Sequence, residues 1–212
     1  MDPVHLPHIK KKAAEEKALI VFEDEASFHQ SPTLHATWTP RHVQPEVLSG
    51  GQRNTQKIFG AVAVLTGQSL FRRREAQFNH DTYVEFLEDM TKFFFKRGHR
   101  IYSIQDNASY HKHPTTYEWF SKNRKYTEVF HLPPYSPDFN AQEKLWKYTR
   151  KQATHNRYHE TETDLCAALT HTFDTMQNNP DLIIPLVAQF ADRNVCLIMR
   201  SYIVGKIFPR SV

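Results

Sequence analysis

Ile104-Gln-Asp-Asn-Ala-Ser-Tyr-His111 is the stretch whose reading decides the fold. Ile101 and Ile104 belong to a short run of β-formers that reads as a buried strand. The run ends on Asp106, after which the chain turns polar. A carboxylate at the end of a buried strand is costly unless something pairs with it. Two other acidic positions are candidates to meet it. Ile20-Val-Phe-Glu-Asp24-Glu25 ends another apolar run in the same way, and Glu143 lies 37 positions after Asp106, in Leu132-Pro-Pro-Tyr-Ser-Pro-Asp-Phe-Asn-Ala-Gln-Glu143-Lys-Leu-Trp146. Three carboxylates from two strand ends and one helix start make an all-oxygen pocket of the kind that hard divalent cations take. Asp24, Asp106 and Glu143 are therefore the candidate metal ligands and catalytic groups.

The bulk properties set bounds around this pocket. A chain of 212 residues suffices for one domain with a sizeable core. With 40% apolar and 24% charged residues, its composition is ordinary for a globular protein. A net charge of +4 and a pI near 9.0 give a mild basic bias that suits phosphate-bearing partners. Two cysteines, Cys166 and Cys196, supply neither a disulfide framework nor a zinc cluster and favour a reducing compartment. The N-terminal stretch Met1 to Lys12 holds no apolar run of signal-peptide type, and no run of 18 apolar residues is present to span a membrane.

Outward from the central motif, the pattern alternates. Residues 1–17 form a polar lead-in, with a short helix expected over Lys10 to Lys17. Ala18 to Asp24 fits a central strand whose Ala18, Ile20, Phe22 and Asp24 share one face by the two-residue period. Residues 29–56, with three prolines and two glycines, read as a loop with at most a short strand around Trp38. Ile58 to Leu65 and Ser69 to Ala76 read as a hairpin around Thr66-Gly67-Gln68. Asn79 offers an N-cap for a helix carrying Tyr83, Phe86, Leu87, Met90 and Phe94, with Gly98 as its stop. After the Asp106 strand come a helix over His113 to Asn123, a strand over Thr127 to Leu132, and a proline-stiffened turn. Helices are then expected over Phe139 to Thr154, Thr161 to Met176 and Leu182 to Phe190. The tail 191–212 has no clear placement. A hairpin followed by alternating strands and helices predicts an α/β domain with a mixed sheet flanked by helices.

Three segments carry a resemblance to a known family. They are Phe22-Glu-Asp-Glu-Ala-Ser-Phe28, Asp106-Asn-Ala-Ser-Tyr-His-Lys112, and the proline-rich segment running to Glu143 and Trp146. They resemble the catalytic domain of the DDE transposases of the IS-six-thirty/Tc/mariner superfamily, on the bacterial insertion-sequence side. The family's third motif usually has Pro and Ile where this chain has Ala141 and Gln142. Trp38-Thr-Pro-Arg41 resembles the family's Trp-x-Pro-Arg element, with His42 where a glycine commonly follows. The resemblance covers about residues 18 to 155, with helices over 156–190 beyond it. It implies a ribonuclease H-like core and an Asp24-Asp106-Glu143 triad holding two Mg2+ or Mn2+ ions. Its activity would be DNA cleavage and strand transfer on transposon ends and target, in the bacterial cytoplasm with the nucleoid. Complete family members carry helix-turn-helix domains before the core, whereas only about 17 residues precede the first strand here. The expected protein is then the product of a split element's second reading frame, a truncated piece, or a domesticated remnant. Its expected partners are a second copy or a separate DNA-binding subunit.

Each residue has a plainer reading. Asp24 between Glu23 and Glu25 is otherwise a solvated acidic turn, and Asp106 an Asx-turn. Asn140-x-x-Glu143 fits a capping box, which would divert the Glu143 carboxylate to its own helix start. Glu25, Asn107 and His111 are candidates to support the ligands from behind or to contact phosphate. His111 and His113 lack the further ligands a zinc site needs. Lys144, Lys147, Arg150, Lys151 and Arg157 are a solvated face or, beside a nuclease site, a phosphate-binding one. Arg72, Arg73 and Arg74 are a weaker candidate, since hairpin edges commonly carry charge. Trp146 reads as core packing; Trp38 reads equally as a DNA-stacking or a buried residue. Two rivals stay open: a nuclease of the same fold without strand transfer, and an inactive DNA- or protein-binding module.

Overall fold

Strands β1 (Leu19–His29), β2 (Thr55–Ala63), β3 (Ser69–Arg74), β4 (Ile101–Gln105) and β5 (Thr127–His131) form one sheet in the order β3-β2-β1-β4-β5. This computed structural model describes residues 6–51, 53–74, 77–95, 99–134 and 136–191. Strands β1, β4 and β5 run parallel, while β2 is antiparallel to both β1 and β3. The hairpin joining β2 and β3 turns at Gly67, whose φ of 68° is a left-handed conformation that glycine adopts without strain. Helices α1 (Leu6–Glu16), α2 (His80–Phe95), α3 (Pro114–Lys122), α4 (Gln142–Ala153), α5 (Glu162–Asn178) and α6 (Pro180–Ala191) cover the sheet. This is the mixed, helix-flanked sheet expected of a ribonuclease H-like core.

The two-residue period of β1 divides the interior in two. Ile20, Phe22, Ala26 and Phe28 face a core filled by α1, α4, α5 and α6. Leu19 and Val21 face a second core filled by α2 and α3. Asp24 lies on the first of these faces, as the alternation predicts. The parallel register pairs Phe22 with Ile104, so two residues further it sets Asp24 beside Asp106, with neighbouring strands about 4.8 Å apart. Helix α5 opens with a capping box in which Thr161 and Asp164 exchange bonds, and Asn79 accepts from the Thr82 N–H at the start of α2 (2.9 Å). Helices α5 and α6 bury Leu165, Leu169, Met176, Ile183 and Phe190 in the same core as β1.

Several boundaries differ from those read in the sequence. Strand β1 does not stop at Asp24 but continues to His29, because β2 pairs with it as far as His29↔Thr55. Strand β4 ends at Gln105, leaving Asp106 one residue past the pairing. Helix α1 starts at Leu6 instead of Lys10, because Leu6, Ile9 and Ala13 form its buried stripe. The helix expected from Phe139 splits into a 3-10 turn over Pro137–Phe139 and α4 from Gln142. No strand forms around Trp38 among the described residues, and Trp38 is 102% exposed, which rules out its burial. Leu34, Val43 and Leu48 of the same loop are exposed as well. Gly98, Ala76 and residues 192–212 lie outside the described residues.

Gly60 on β2 stands opposite Asp24 in register. A Cβ there would lie 2.3 Å from Gln142 Nε2 and 2.4 Å from Trp146 Cη2, so the glycine is what lets α4 approach the sheet. Gly60→Ala is expected to lower stability by about 1–3 kcal/mol through overpacking, read as a lower urea midpoint with an unchanged m-value. An unaltered midpoint would show that α4 has room to shift.

Candidate active site

Asp24 from β1, Asp106 from the end of β4 and Glu143 from the first turn of α4 line one cavity of about 530 Å³. Asn107, Lys112, Asn140 and the prolines at 133, 134 and 137 complete much of its wall. The three sequence-derived carboxylates are thus brought around a shared space. As they stand, no three His, Cys, Asp or Glu side chains among the described residues are grouped tightly enough to form a metal shell.

Each carboxylate has its own anchor. The Trp146 Nε1–H donates to Asp24 Oδ2 (3.1 Å). Trp146 is 0% exposed and packs edge-on to Phe28, so the anchor is a rigid core residue. The sequence reading of Trp146 as core is right but incomplete, because periodicity cannot say where an indole N–H points. Asp106 accepts from the Ala108 N–H (2.8 Å) and from His111 Nδ1 (3.1 Å). The His131 Nδ1–H donates to the Asp106 carbonyl (3.1 Å). Glu143 is placed through its helix. Asn140 accepts from the Gln142 N–H (3.0 Å) through Oδ1 and donates through Nδ2 to the Glu23 carbonyl on β1 (3.2 Å). The capping box between Asn140 and Glu143 therefore does not form: the Asn140 backbone N–H goes to the Pro137 carbonyl (2.9 Å). The Glu143 carboxylate stays free for the cavity.

The electrostatics follow from this crowding. Burial first, then the charges of Glu25, Glu143 and Asp106, push the Asp24 carboxyl well above the usual carboxylate range. Burial also works to raise Asp106, but the bonds from His111 and the Ala108 N–H, with the His111 charge, outweigh it and hold that carboxyl below its ordinary value. The pair answers reciprocally. Burial works to lower His111, yet Asp106, Glu23 and Glu25 outweigh it and raise the imidazole. Hard oxygen donors with unbalanced negative charge around one space suit a divalent cation. Asp24, Asp106 and Glu143 are the residues that fit one.

Of the residues expected to support the ligands, His111 is 2% exposed and lies against Asp106. Asn107 lines the cavity and donates through Nδ2 to the Leu132 carbonyl, tying the end of β4 to the chain leaving β5. Glu25 instead accepts from the Tyr110 hydroxyl and does not line the cavity. Glu23, read as part of a solvated turn, is 1% exposed, accepts from the Tyr83 hydroxyl, and is pushed by burial up to about 7. A second groove of about 340 Å³ shares Pro137, Asn140 and Glu143 with the first cavity and continues past Lys144, Lys147, Arg150 and His155. Three of the five expected phosphate-binding cations line it; Lys151 and Arg157 do not. His155 was not foreseen. It enters because Thr33 of the long loop pairs with it and His35 stacks on its ring at 4.6 Å. Arg72 and Arg74 instead pair with Asp89 on α2 (3.0 and 3.4 Å).

A family model described as DDE superfamily endonuclease matches residues 19–166. The insertion element IS630 uncharacterized 39 kDa protein of Shigella sonnei is 28% identical over 183 residues, which are 82% of this chain and 52% of that protein. The chain thus spans about half the length of the curated relative it matches. Among solved structures, a pre-cleavage Mos1 transpososome superposes with a TM-score of 0.67 at 16% identity, covering 92% of this chain and 58% of that one. The catalytic domain of Mos1 mariner transposase gives a TM-score of 0.62 at 13% identity, covering 89% and 86%. These likenesses establish the ribonuclease H-like fold. Among the described residues no helix is long and apolar enough to cross a membrane.

The raised Asp24 carboxyl has a consequence for stability. Because its folded value lies above the ordinary one of about 3.9, its stabilising contribution is full below that pH and is lost as pH rises toward the raised value. Asp24→Asn keeps an acceptor for Trp146 and removes the loss. In chelator, the variant is expected to melt above the wild type at pH 7, with the gap closing near pH 4. A variant that melts at or below the wild type at pH 7 would show that Asp24 is not strained by its neighbours.

Proposed function

The chain belongs to the DDE superfamily of endonucleases, in its IS630/Tc/mariner branch, and we propose that it is a transposase catalytic core that cuts and joins DNA with divalent metal. One observation carries this reading: Asp24, Asp106 and Glu143, far apart in sequence, line the same cavity beside a basic groove. Asp24, Asp106 and Glu143 would hold the metal, Mg2+ or Mn2+ and two ions by the chemistry of the reaction. Mos1 paired-end complexes have been solved with each of these metals. Such ions, when bound, make a water or hydroxyl nucleophilic near neutral pH and stabilise the leaving oxygen.

The chain's own residues do the rest. Trp146 and His111 fix the two aspartates, so little reorganisation is left for the reacting state. Asn140 ties the start of α4, and with it Glu143, to β1. Lys144, Lys147 and Arg150 grip phosphates without reading bases. In end cleavage, water attacks phosphorus and the P–O3′ bond breaks, leaving a 3′-hydroxyl and a 5′-phosphate. In strand transfer that 3′-hydroxyl is the nucleophile on target DNA. Recognition of transposon ends falls to a separate DNA-binding subunit or segment, and pairing of two ends to a second copy, in the company of the nucleoid.

The test is cleavage of a labelled duplex with Mg2+ or Mn2+ by wild type and Asp106→Asn. Metal-dependent cutting that falls by roughly 100-fold or more in the variant is expected, with joined product marking strand transfer. Cutting that persists in the variant would overturn the assignment, and cutting without joining would leave a nuclease. Lys147→Gln is expected to weaken binding and lower the salt slope by about 0.9; an unchanged slope would remove Lys147 from the interface.

A further inference from the structure

Among the described residues lining the carboxylate cavity, one is cationic: Lys112, the last residue of the 3-10 turn Ser109–Lys112 that follows β4. Its place is fixed by that turn. The Ala108 N–H donates to Asp106 Oδ1 (2.8 Å), the His111 N–H to the Ala108 carbonyl (3.1 Å), and the Thr116 hydroxyl to the Tyr110 carbonyl (2.9 Å). The Lys112 Cα is therefore held at a set distance from Asp106, while its exposed side chain keeps a four-carbon reach.

Lys112 makes no ion pair with any described residue, and neither do Lys144, Lys147 and Arg150 on α4. Its ammonium is left for a ligand. The chemistry of that ligand follows from the neighbouring groove. Lys144, Lys147 and Arg150 follow Glu143 along α4 and line a groove that shares Pro137, Asn140 and Glu143 with the cavity. Cations thus stand on two different elements with the carboxylates between them. A ligand that meets both sides and passes over the carboxylates must be anionic at repeated positions, which describes a nucleic-acid backbone. From Glu143 to Arg150 the helix rises about 10 Å, enough for two or three successive phosphates.

We propose that Lys112 is a catalytic residue whose ammonium holds a non-bridging oxygen of the phosphodiester being cut, from a different element than the α4 cations. This rests on reading the cavity as a DNA-cleaving site. Lys112 lines the cavity that holds all three carboxylates, and there it meets the phosphate that gains charge as the bond breaks. The α4 row meets phosphates that do not react. Loss of Lys112 therefore acts on rate as well as on binding.

The experiment compares wild type, Lys112→Gln, Lys112→Arg and Lys11→Gln, the last removing a charge on α1 that lines neither space. One arm measures duplex binding against salt with Ca2+ in place of Mg2+; the other measures single-turnover cleavage at saturating DNA with Mg2+ or Mn2+. Lys112→Gln is expected to cut about 10- to 100-fold more slowly and to lower the salt slope by about 0.9. Lys112→Arg recovers much of the rate, and Lys11→Gln matches the wild type. Mn2+ affinity by calorimetry stays at least as tight in Lys112→Gln. Weaker Mn2+ binding there would assign Lys112 a structural role and overturn the proposal, as would wild-type rate at saturating DNA. If wild type itself does not cut, the proposed function fails. The salt slope then decides Lys112 alone: an unchanged slope overturns its phosphate contact, and a lowered slope keeps it.

Discussion

Three carboxylates facing one space repel one another, and the surrounding fold is arranged to hold them against that repulsion. Each is anchored by a group of a different kind. A buried indole fixes Asp24, an imidazole and a backbone amide fix Asp106, and an asparagine bridging β1 and α4 fixes the helix that bears Glu143. Trp146 is rigid because it belongs to the core on one side of the sheet, and His111 and Asn140 are buried. The approach of α4 depends in turn on Gly60, so one missing side chain on β2 sets how near Trp146 and Glu143 come to β1. A charged site of this kind is an expense met by apolar burial elsewhere.

Glu23, Asp24 and Glu25 show how finely a strand partitions identical chemistry. Adjacent residues of a strand point to opposite faces, so Asp24 meets the cavity while its neighbours turn toward the other side. There Glu23 meets the Tyr83 hydroxyl, 60 residues away in sequence, and Glu25 meets the Tyr110 hydroxyl, 85 residues away. Both phenols are themselves pushed up, by burial first and then by the carboxylates they face. They therefore remain donors across the pH range where the carboxylates need them.

The alternation along β1 and the helical spacing of Tyr83, Phe86, Leu87, Met90 and Phe94 were legible because they record burial on one element at a time. The motif around Asp106 and Glu143 was legible because it resembles a known pattern. What was not legible depends on partners distant in sequence. That β1 runs on to His29 is decided by β2, and that the Asn140 amide is tied to β1 is decided by the Glu23 carbonyl, 117 residues away. Lys151 lies about two turns from Glu143, yet the groove takes Arg150 instead, because its wall follows Pro137 and His155 and not the helix face alone. The residue type of Lys112 was in plain view inside the motif; only the shape of the cavity gave it a direction.

The distribution of charge bears on the order of events at the proposed site. Cations flank the carboxylates on two elements, and at the centre the charge is negative. A phosphate backbone is thus attracted to the flanks and repelled from the middle. Without metal, the backbone would gain affinity from the flanks alone and would be held off the reacting position. Metal held at the three carboxylates would change the sign of the centre and turn a repulsive gap into the most attractive point of the track. The flanking cations then supply binding that does not depend on metal, and the centre supplies metal-dependent positioning of the one phosphate that reacts. In the proposed reaction this separation would let a chain of modest net charge, +4, hold a polyanion and still confine chemistry to one bond.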